Sequence, residues 1–320
     1  LGGIVAVIVA VLNQNGGFMN SASLLAENNG WEYTSFFGPN PIFLIVVVML
    51  TSLGTWGLPQ MVGKFYSIKD DGAVKKGTII STVFAVIVAG GCYFLGGFGK
   101  LYQEEVMLTS VSENGKLMYD GIIPIMLSKL PSVIIAVVIV LVLSASMSTL
   151  SSLVLTSSST LTLDVIKPKA AKKKEFTEKK SVLVMRLLIV FFIALSAVIA
   201  ILKDTIWKDS AFIAQMMGVS WGALAGAFLA PFLYGLFWKK GTRAAVASCF
   251  IFGTGIEIVQ LCISMGWISF SDKILGFVFT NSLYSGVFAM VGGLVIFPII
   301  SLLTQKSKVE NVNQTFECIK

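Results

Sequence analysis

Hydroxyl side chains recur along one face of a long apolar segment in the middle of the sequence. Ser144, Ser148 and Ser151 or Ser152 follow one another at spacings of three and four residues, and Thr149 adjoins them. That spacing places them on one face of a helix. Neutral oxygens suit Na⁺, which is a hard cation, so this face is a candidate ion site. The alternative is that the hydroxyls bond back to their own helix or join neighbouring helices.

A second chemical signal is the run TSLGTWGLPQ at positions 51–60, which is rich in weak helix formers. Glycine costs about 1 kcal/mol and proline about 3 kcal/mol relative to alanine inside a helix. In a membrane, the backbone groups freed by such a break must be satisfied by protein or by a hydrated cavity. Broken helices of this kind form solute sites in transporters, so the run is a candidate solute site. The alternative is a simple proline kink.

A single acidic residue, Glu257, lies inside the apolar segment 244–265. An unpaired charge at that depth of a membrane is costly, so the carboxyl group is protonated, paired or facing water. Two roles remain open for Glu257, which are a proton relay and a structural bond to a neighbouring helix.

The composition indicates that these residues are carried by membrane helices. Hydrophobic residues make up 55% of the 320 residues and charged residues only 13%, so the chain cannot cover itself with polar surface in water. The sequence has no histidine, which excludes catalysis by histidine. Its four cysteines are widely separated, which does not favour a metal or disulfide site. No nucleophile–base pair or phosphate-cradling loop is visible, so we do not expect an enzyme.

Eight apolar segments are candidate membrane spans. They cover residues 1–12, 41–61, 78–97, 133–166, 181–202, 211–238, 244–265 and 281–303. The first is shorter than the roughly 20 residues that cross a bilayer and is read as a partial span. We expect the fourth to end at Pro168.

The lysines and arginines concentrate in alternate loops. The loop 64–77 has four lysines and the loop 167–180 has seven, whereas the loop 13–40 has none. Cytoplasmic loops carry an excess of such residues, so we expect the lysine-rich loop 167–180 and the tail 305–320 in the cytoplasm, with both chain ends there. The net charge of +7 is therefore an orientation signal, and we expect a multi-pass plasma-membrane protein with no nucleic-acid partner.

Three motifs resemble the sodium:solute symporter family, which includes proline, pantothenate, sialic acid and sodium/glucose symporters. They are GTWGLPQ at 54–60 followed by Lys64, SMSTLSS at 146–152 leading to LDVI at 163–166, and PFLYGLFWKK at 231–240. The resemblance covers essentially the whole chain. It implies an all-α polytopic membrane fold, part of a five-plus-five inverted-repeat transporter in one domain over residues 1–320.

The resemblance also assigns roles to residues. The family's sodium site falls on the backbone carbonyl of Ala145 and the hydroxyls of Ser148 and Thr149. The family's broken-helix substrate region falls on Ser52, Thr55, Trp56 and Gly57. We extend this region to Gly54. The family's basic residue at the cytoplasmic end of that helix falls on Lys64, and we add Glu257 as a weaker coupling candidate.

Two departures from the family's pattern bear on which solute is bound and on how much of a transporter the chain contains. Proline symporters carry aromatic residues where this chain has Thr51 and Thr55, while the GLPQ run and YSIKD at 66–70 are closer to pantothenate symporters. The first core helix of the family, which supplies further sodium ligands, is absent. We therefore expect the C-terminal two-thirds of a transporter, with the N-terminal helices of the same protein as partners.

Together these features predict a secondary transporter that couples Na⁺ entry to uptake of a small organic solute by alternating access. The solute is expected to be an amino acid or a carboxylate such as pantothenate, Na⁺ is the coupling ion, and no organic cofactor is expected. The alternatives are a proton-coupled carrier acting through Glu257 and a membrane sensor or interaction module that does not transport.

Overall fold

The computed structural model describes residues 2–58, 61, 68–109, 119–171, 177–206, 212–268, 273–305 and 312–317. Over these residues all the regular elements are helical, which confirms the all-α prediction. The α-helices are α1 (Gly2–Gln14), α2 (Phe18–Asn29), α3 (Pro41–Ser52), α4 (Asp71–Gly97), α5 (Gln103–Thr109), α6 (Ile122–Ser128), α7 (Ser132–Thr160), α8 (Lys167–Ala171), α9 (Glu178–Ile206), α10 (Phe212–Phe237), α11 (Arg243–Ser264), α12 (Lys273–Phe279), α13 (Ser282–Leu303) and α14 (Val312–Glu317).

Six helical stretches in the described part of the chain are long and apolar enough to cross a membrane. They are Asp71–Leu108, Ser132–Ala170, Glu178–Leu202, Gln215–Phe237, Arg243–Ser264 and Ser282–Leu303. Helices α1 and α2 together form a possible seventh span, bent by 64° between them, and α3 is a shorter apolar helix. Each of the eight predicted spans therefore contains a helix, and the polytopic membrane class is confirmed.

The chain divides into two compact units. The first unit comprises Leu1–Tyr33 and Val74–Ser210 and contains α1, α2, most of α4 and α5 to α9. Its core is a cluster of buried side chains in which Val7 and Val11 of α1 pack with Leu95, Tyr102 and Met126. Helix α7 borders this cluster only through its first turns, at Ile134, Ile135 and Val138.

The second unit comprises Thr34–Ala73 and Ala211–Lys320 and contains α3 and α10 to α14. Its centre is a three-helix core of α10, α11 and α13, against which α3 packs. Leu50 of α3 is fully buried with Ala225 and Leu229 of α10 and Met290 of α13. The prediction of a single domain over residues 1–320 is not tested by this division and stays a prediction.

Two helix boundaries differ from those predicted. Helix α4 begins at Asp71 rather than Thr78, because the side-chain oxygen of Asp70 accepts a hydrogen bond from the backbone N–H of Ala73 and caps the helix. Helix α7 does not stop before Pro168 either. A π-helical turn over Leu161–Ile166 carries it into α8, and the N–H of Lys167 donates to the carbonyl of Thr162. Proline has no N–H to donate, and the π-helical turn directly before it accommodates the missing hydrogen bond.

The lysine-rich segment 167–180 is partly helical where it is described. Residues 167–171 form α8, and α9 begins at Glu178. The side chains of Lys167 and Glu178 form an exposed ion pair at 2.8 Å. An exposed pair of this kind contributes little to stability, so the segment connects two helices rather than adding to the core.

Candidate functional site

The hydroxyl stripe lies on an uncovered part of α7. Residues 141–153 are all exposed on the chain, whereas Val154 and Ser158 further along are buried. Within the first compact unit, the stripe is therefore neither sealed by bulky apolar side chains nor packed against another described helix. Ser148 and Thr149 lie within one helical turn of Ala145, so the three residues share one side of α7.

The hydroxyls along α7 and its extension differ in their hydrogen bonding. The side chains of Ser151, Thr156 and Thr162 donate to the carbonyls four residues earlier, at 2.7, 2.8 and 2.7 Å. Over the described residues, the hydroxyls of Ser148 and Thr149 make no such bond to the backbone. The alternative, in which the hydroxyls bond to their own helix, thus holds for Ser151, Thr156 and Thr162. It does not hold for Ser148 and Thr149, whose hydroxyl oxygens remain available.

This arrangement fits a hard monovalent cation. Two hydroxyl oxygens and the second lone pair of the Ala145 carbonyl would supply three neutral ligands from one helix face. A cation needs further oxygens than one face offers, so another element has to complete the shell. The role of Ala145, Ser148 and Thr149 in ion binding stays a prediction.

Helix α3 ends where the sequence predicts a break. Asn40 caps its start by accepting from the N–H of Phe43 at 3.0 Å, and Pro41 occupies the first turn. The last helical residue is Ser52, and residues 53–57 form turns in which Trp56 N–H donates to Leu53 at 3.1 Å. The helix therefore ends just before Gly54 and Gly57. Pro59, on which the alternative of a simple kink depends, lies outside the described residues.

The break frees backbone carbonyls. Among the described residues, no backbone N–H donates to the carbonyl oxygens of Leu50, Thr51 or Ser52. Only the hydroxyl of Thr55 reaches the last two of these, at 3.4 and 3.2 Å. A helix C-terminus carries partial negative charge on such oxygens, so the end of α3 suits a cation or the ammonium group of a solute.

Two glycines let this break pack closely against α10. A methyl group on Gly57 would lie 2.6 Å from the Cα of Leu229, and one on Gly54 would lie 3.1 Å from the Cβ of Ala225 while colliding with the Leu50 carbonyl. The contact at Gly57 is made by backbone, which cannot move aside. Glycine at position 57 is thus required by the approach of the two segments.

A cavity of about 390 Å³ adjoins the break. It is lined by Thr55, Trp56, Met61 and Phe232. The Trp56 ring is 55% exposed, so it is available as a contact surface. Apolar walls with one hydroxyl are the usual composition of a small-molecule pocket. The predicted substrate residues are the last residue of α3, Ser52, and four residues of the turns that follow it, Gly54, Thr55, Trp56 and Gly57. Their role in binding a solute stays a prediction.

Lys64 and Glu257 are the two remaining predicted residues. Lys64 lies outside the described residues. Glu257 is buried on α11, where its Oε2 accepts a hydrogen bond from the Ser285 hydroxyl of α13 at 3.3 Å. That bond supports the structural alternative raised for Glu257. Its contact with α10 is at Gly222, whereas the break contacts α10 at Ala225 and Leu229.

Sequence reasoning did not single out Gln260, Ser282 and Ser285, which are buried with Glu257. One signal that could have found their neighbourhood is the spacing of Gly218, Gly222 and Gly226, one helical turn apart. Small residues at this spacing allow close helix contact in membranes.

Comparison with known proteins identifies the family. The family model described as "Sodium:solute symporter family" matches residues 1–253. A sodium/pantothenate symporter of Haemophilus influenzae is 24% identical over 287 residues, which cover 87% of this chain and 54% of the relative. A sodium/proline symporter of Staphylococcus aureus is 25% identical over 315 residues, which cover 95% of this chain and 55% of the relative. The sodium/proline symporter of Salmonella typhimurium is 24% identical over 290 residues.

The chain thus spans about half the length of the curated relatives that it matches. No solved structure was found to match it. The family and these relatives are transporters rather than enzymes, which confirms that prediction. Since the family model covers most of the sequence and the helices have the length and apolarity of membrane spans, the chain is a multi-pass membrane protein that belongs to the sodium:solute symporter family.

Proposed function

We propose that this chain is part of a secondary transporter that couples Na⁺ entry to uptake of a small organic solute. Family membership supports the coupling ion and the class of function. The observation that carries the proposal is the uncovered face of α7, where the hydroxyls of Ser148 and Thr149 are not used by their own helix. Residues that merely stabilised the helix would resemble Ser151, which bonds to the Met147 carbonyl.

Na⁺ would bind to the Ala145 carbonyl and to the hydroxyls of Ser148 and Thr149. The remaining ligands would come from helices of the same protein outside this chain, since the relatives are about twice as long. Bound Na⁺ would then hold α7 against such a helix and favour the outward-open state, which gives alternating access. Na⁺ that moves inward down a potential of 100 mV releases about 2.3 kcal/mol per charge.

The solute would bind at the broken end of α3. The free carbonyls of residues 50–52 suit an ammonium group, and the cavity at Thr55, Trp56, Met61 and Phe232 suits an apolar body. A free amino acid combines these two features, and the names of the relatives favour an amino acid or a carboxylate such as pantothenate. Lys64 would lie at the cytoplasmic end of this segment as a gating residue. We further propose that the protein resides in the plasma membrane with both ends of this chain in the cytoplasm, as the lysine-rich loops indicate.

The test is solute uptake into proteoliposomes that hold the full-length protein. Ser148→Ala combined with Thr149→Ala should abolish the dependence of uptake on Na⁺ or shift it to much higher concentration. The matched control is Ser151→Ala combined with Thr156→Ala, which removes two hydroxyls of the same helix that are bonded to their own backbone. Equal Na⁺ dependence in the two double variants would refute the proposed ion site.

Two other outcomes would point to the alternatives. Uptake driven by a pH gradient without Na⁺, and lost in Glu257→Gln, would indicate a proton-coupled carrier. Solute binding with no net flux in either direction would indicate a sensor.

A further inference from the structure

A second polar cluster lies inside the three-helix core of α10, α11 and α13. Four side chains form it, and all are almost fully buried: Glu257 is 1% exposed, Gln260 3%, Ser282 1% and Ser285 0%. The ion and solute sites proposed above use none of these residues except Glu257, and that one only as a weak coupling candidate. Burial of so many oxygens in an apolar core is costly unless each of them is satisfied.

The register of the helices brings the four side chains together. Cys249 of α11 donates to the Gly293 carbonyl of α13. Glu257, two turns after Cys249, accepts a hydrogen bond from Ser285, which lies two turns before Gly293. The two helices are therefore antiparallel, and the next step along this register places Gln260 beside Ser282.

Two glycines of α10 border the same cluster. A methyl group on Gly218 would lie 2.7 Å from the Cβ of Ser282, and one on Gly222 would lie 2.8 Å from the carboxyl carbon of Glu257. Consecutive turns of α10 therefore touch consecutive members of the cluster. Oγ of Ser282 and Oε1 of Glu257 are the atoms nearest to these two glycines, so any larger residue there would collide with them.

Three oxygens of the cluster have no partner among the described residues. They are Oε1 of Glu257, Oε1 of Gln260 and Oγ of Ser282. They make no hydrogen bond to one another, although they belong to neighbouring side chains. A cation bound among them would give all three oxygens a partner at once.

Among their described side chains, the helices that pack around Glu257 offer its carboxylate no basic partner. Helices α3, α10 and α13 contain no lysine or arginine, and the one basic residue of α11 is Arg243, at its far end. Glu257 is fourteen positions after Arg243 along the helix, which is about 21 Å. Within the described residues, Glu257 forms no ion pair.

From this geometry we propose that the cluster is a second Na⁺ site. Glu257 supplies the negative charge, and Gln260, Ser282 and Ser285 supply neutral oxygens. The site lies in the second compact unit, so it is built from residues other than those of the α7 face. Na⁺ bound here would tie α11 to α13 and stabilise the three-helix core.

The experiment measures the melting temperature of the purified full-length protein as a function of Na⁺ concentration, with choline keeping the ionic strength constant. The background is Ser148→Ala combined with Thr149→Ala, which removes the proposed α7 site. We expect this background to retain stabilisation by Na⁺. Adding Glu257→Gln should raise the Na⁺ concentration that gives half of the shift by about tenfold or more, because a charged ligand is lost.

Two further variants keep the test decisive if Glu257→Gln fails to fold. Ser282→Ala and Gln260→Leu each remove one neutral oxygen and should each raise the half-shift concentration by about two- to tenfold. The control is Thr254→Ala on the same helix, whose hydroxyl is exposed and bonds to the Phe250 carbonyl. It should leave the half-shift concentration unchanged.

Three results would overturn the proposal. They are the absence of any Na⁺ shift in the Ser148→Ala/Thr149→Ala background, an unchanged half-shift concentration in all three cluster variants, and a melting temperature that responds to pH but not to Na⁺. The last would replace the ion by a proton on Glu257. Because uptake measured in the same background tests the α7 face, failure of one site is distinguishable from failure of the other.

Discussion

The hydroxyl of Tyr234 on α10 donates a 3.0 Å hydrogen bond to the backbone carbonyl of Leu294 on α13. Residue 298, four positions later, would donate to that carbonyl in a regular helix, but it is proline and has no N–H. Tyr234 therefore replaces the hydrogen bond that Pro298 removes. The same ring stacks on Phe297, with centroids 5.1 Å apart and an interplanar angle of 8°.

The first prediction concerns this replacement. Tyr234→Phe keeps the ring and leaves the Leu294 carbonyl without a donor, so we expect a loss of about 1–2 kcal/mol in the free energy of unfolding. Pro298→Ala restores the helical N–H. In that background Tyr234→Phe should cost much less, because the carbonyl already has its partner. Thermal unfolding of the wild type, both single variants and the double variant measures the coupling, and additive costs would contradict the assignment.

A second prediction concerns the start of α11. The hydroxyl oxygen of Thr242 accepts from the N–H of Ala245 at 3.3 Å and lies 2.8 Å from that of Thr304. The Thr304 hydroxyl donates to the Ile300 carbonyl, so Thr242 is the donor in the pair. Thr242→Val should lower the free energy of unfolding by about 1–2 kcal/mol, since it loses a buried cap and a bond to the end of α13.

Two comparison variants isolate that effect. Thr242→Ser keeps the hydroxyl and should retain most of the stability. Thr254→Val, on an exposed face of the same helix, should change it by less than about 0.5 kcal/mol. If Thr242→Ser were as unstable as Thr242→Val, the methyl group rather than the hydroxyl would be responsible.

A third prediction concerns the cavity beside the break in α3. Trp56→Ala removes the largest wall of that cavity, so the solute concentration for half-maximal uptake should rise by about tenfold. Because Trp56 is half exposed, the melting temperature should change little. Trp267→Ala, which removes a 74% exposed ring elsewhere, is the control and should leave uptake unaltered. Wild-type half-saturation in Trp56→Ala would place the solute somewhere else.

Local signals explain why most of the fold was predictable. Asn40 followed by Pro41 marks the start of α3, and Asn281 marks the start of α13 by accepting from the N–H of Leu283. The glycines at 54 and 57 correctly predict that α3 ends early, because a weak helix former acts at its own position. The long apolar runs likewise indicate membrane helices from composition alone.

Features that depend on distant residues were not predictable in this way. The hydrogen bond between Glu257 and Ser285 requires the register of α11 against α13, which neither segment encodes alone. The glycine spacing at 218, 222 and 226 is visible in the sequence, but it does not tell which helix approaches. The extension of α7 through Pro168 is not visible in the sequence, because proline alone predicts the end of a helix, whereas the π-helical turn before it accommodates the missing N–H.

The last prediction tests the close approach of the break to α10. Gly57→Ala would bring a methyl carbon within 2.6 Å of the Leu229 Cα and 2.7 Å of its backbone nitrogen. Since backbone atoms cannot rotate away, the two segments must separate, and we expect a loss of about 1–3 kcal/mol in the free energy of unfolding. The matched control is Gly255→Ala on α11, where nothing lies within 4 Å of the added carbon. That variant should be neutral or slightly stabilising because alanine favours the helix, and equal melting temperatures for the two variants would show that α3 and α10 do not meet at this glycine.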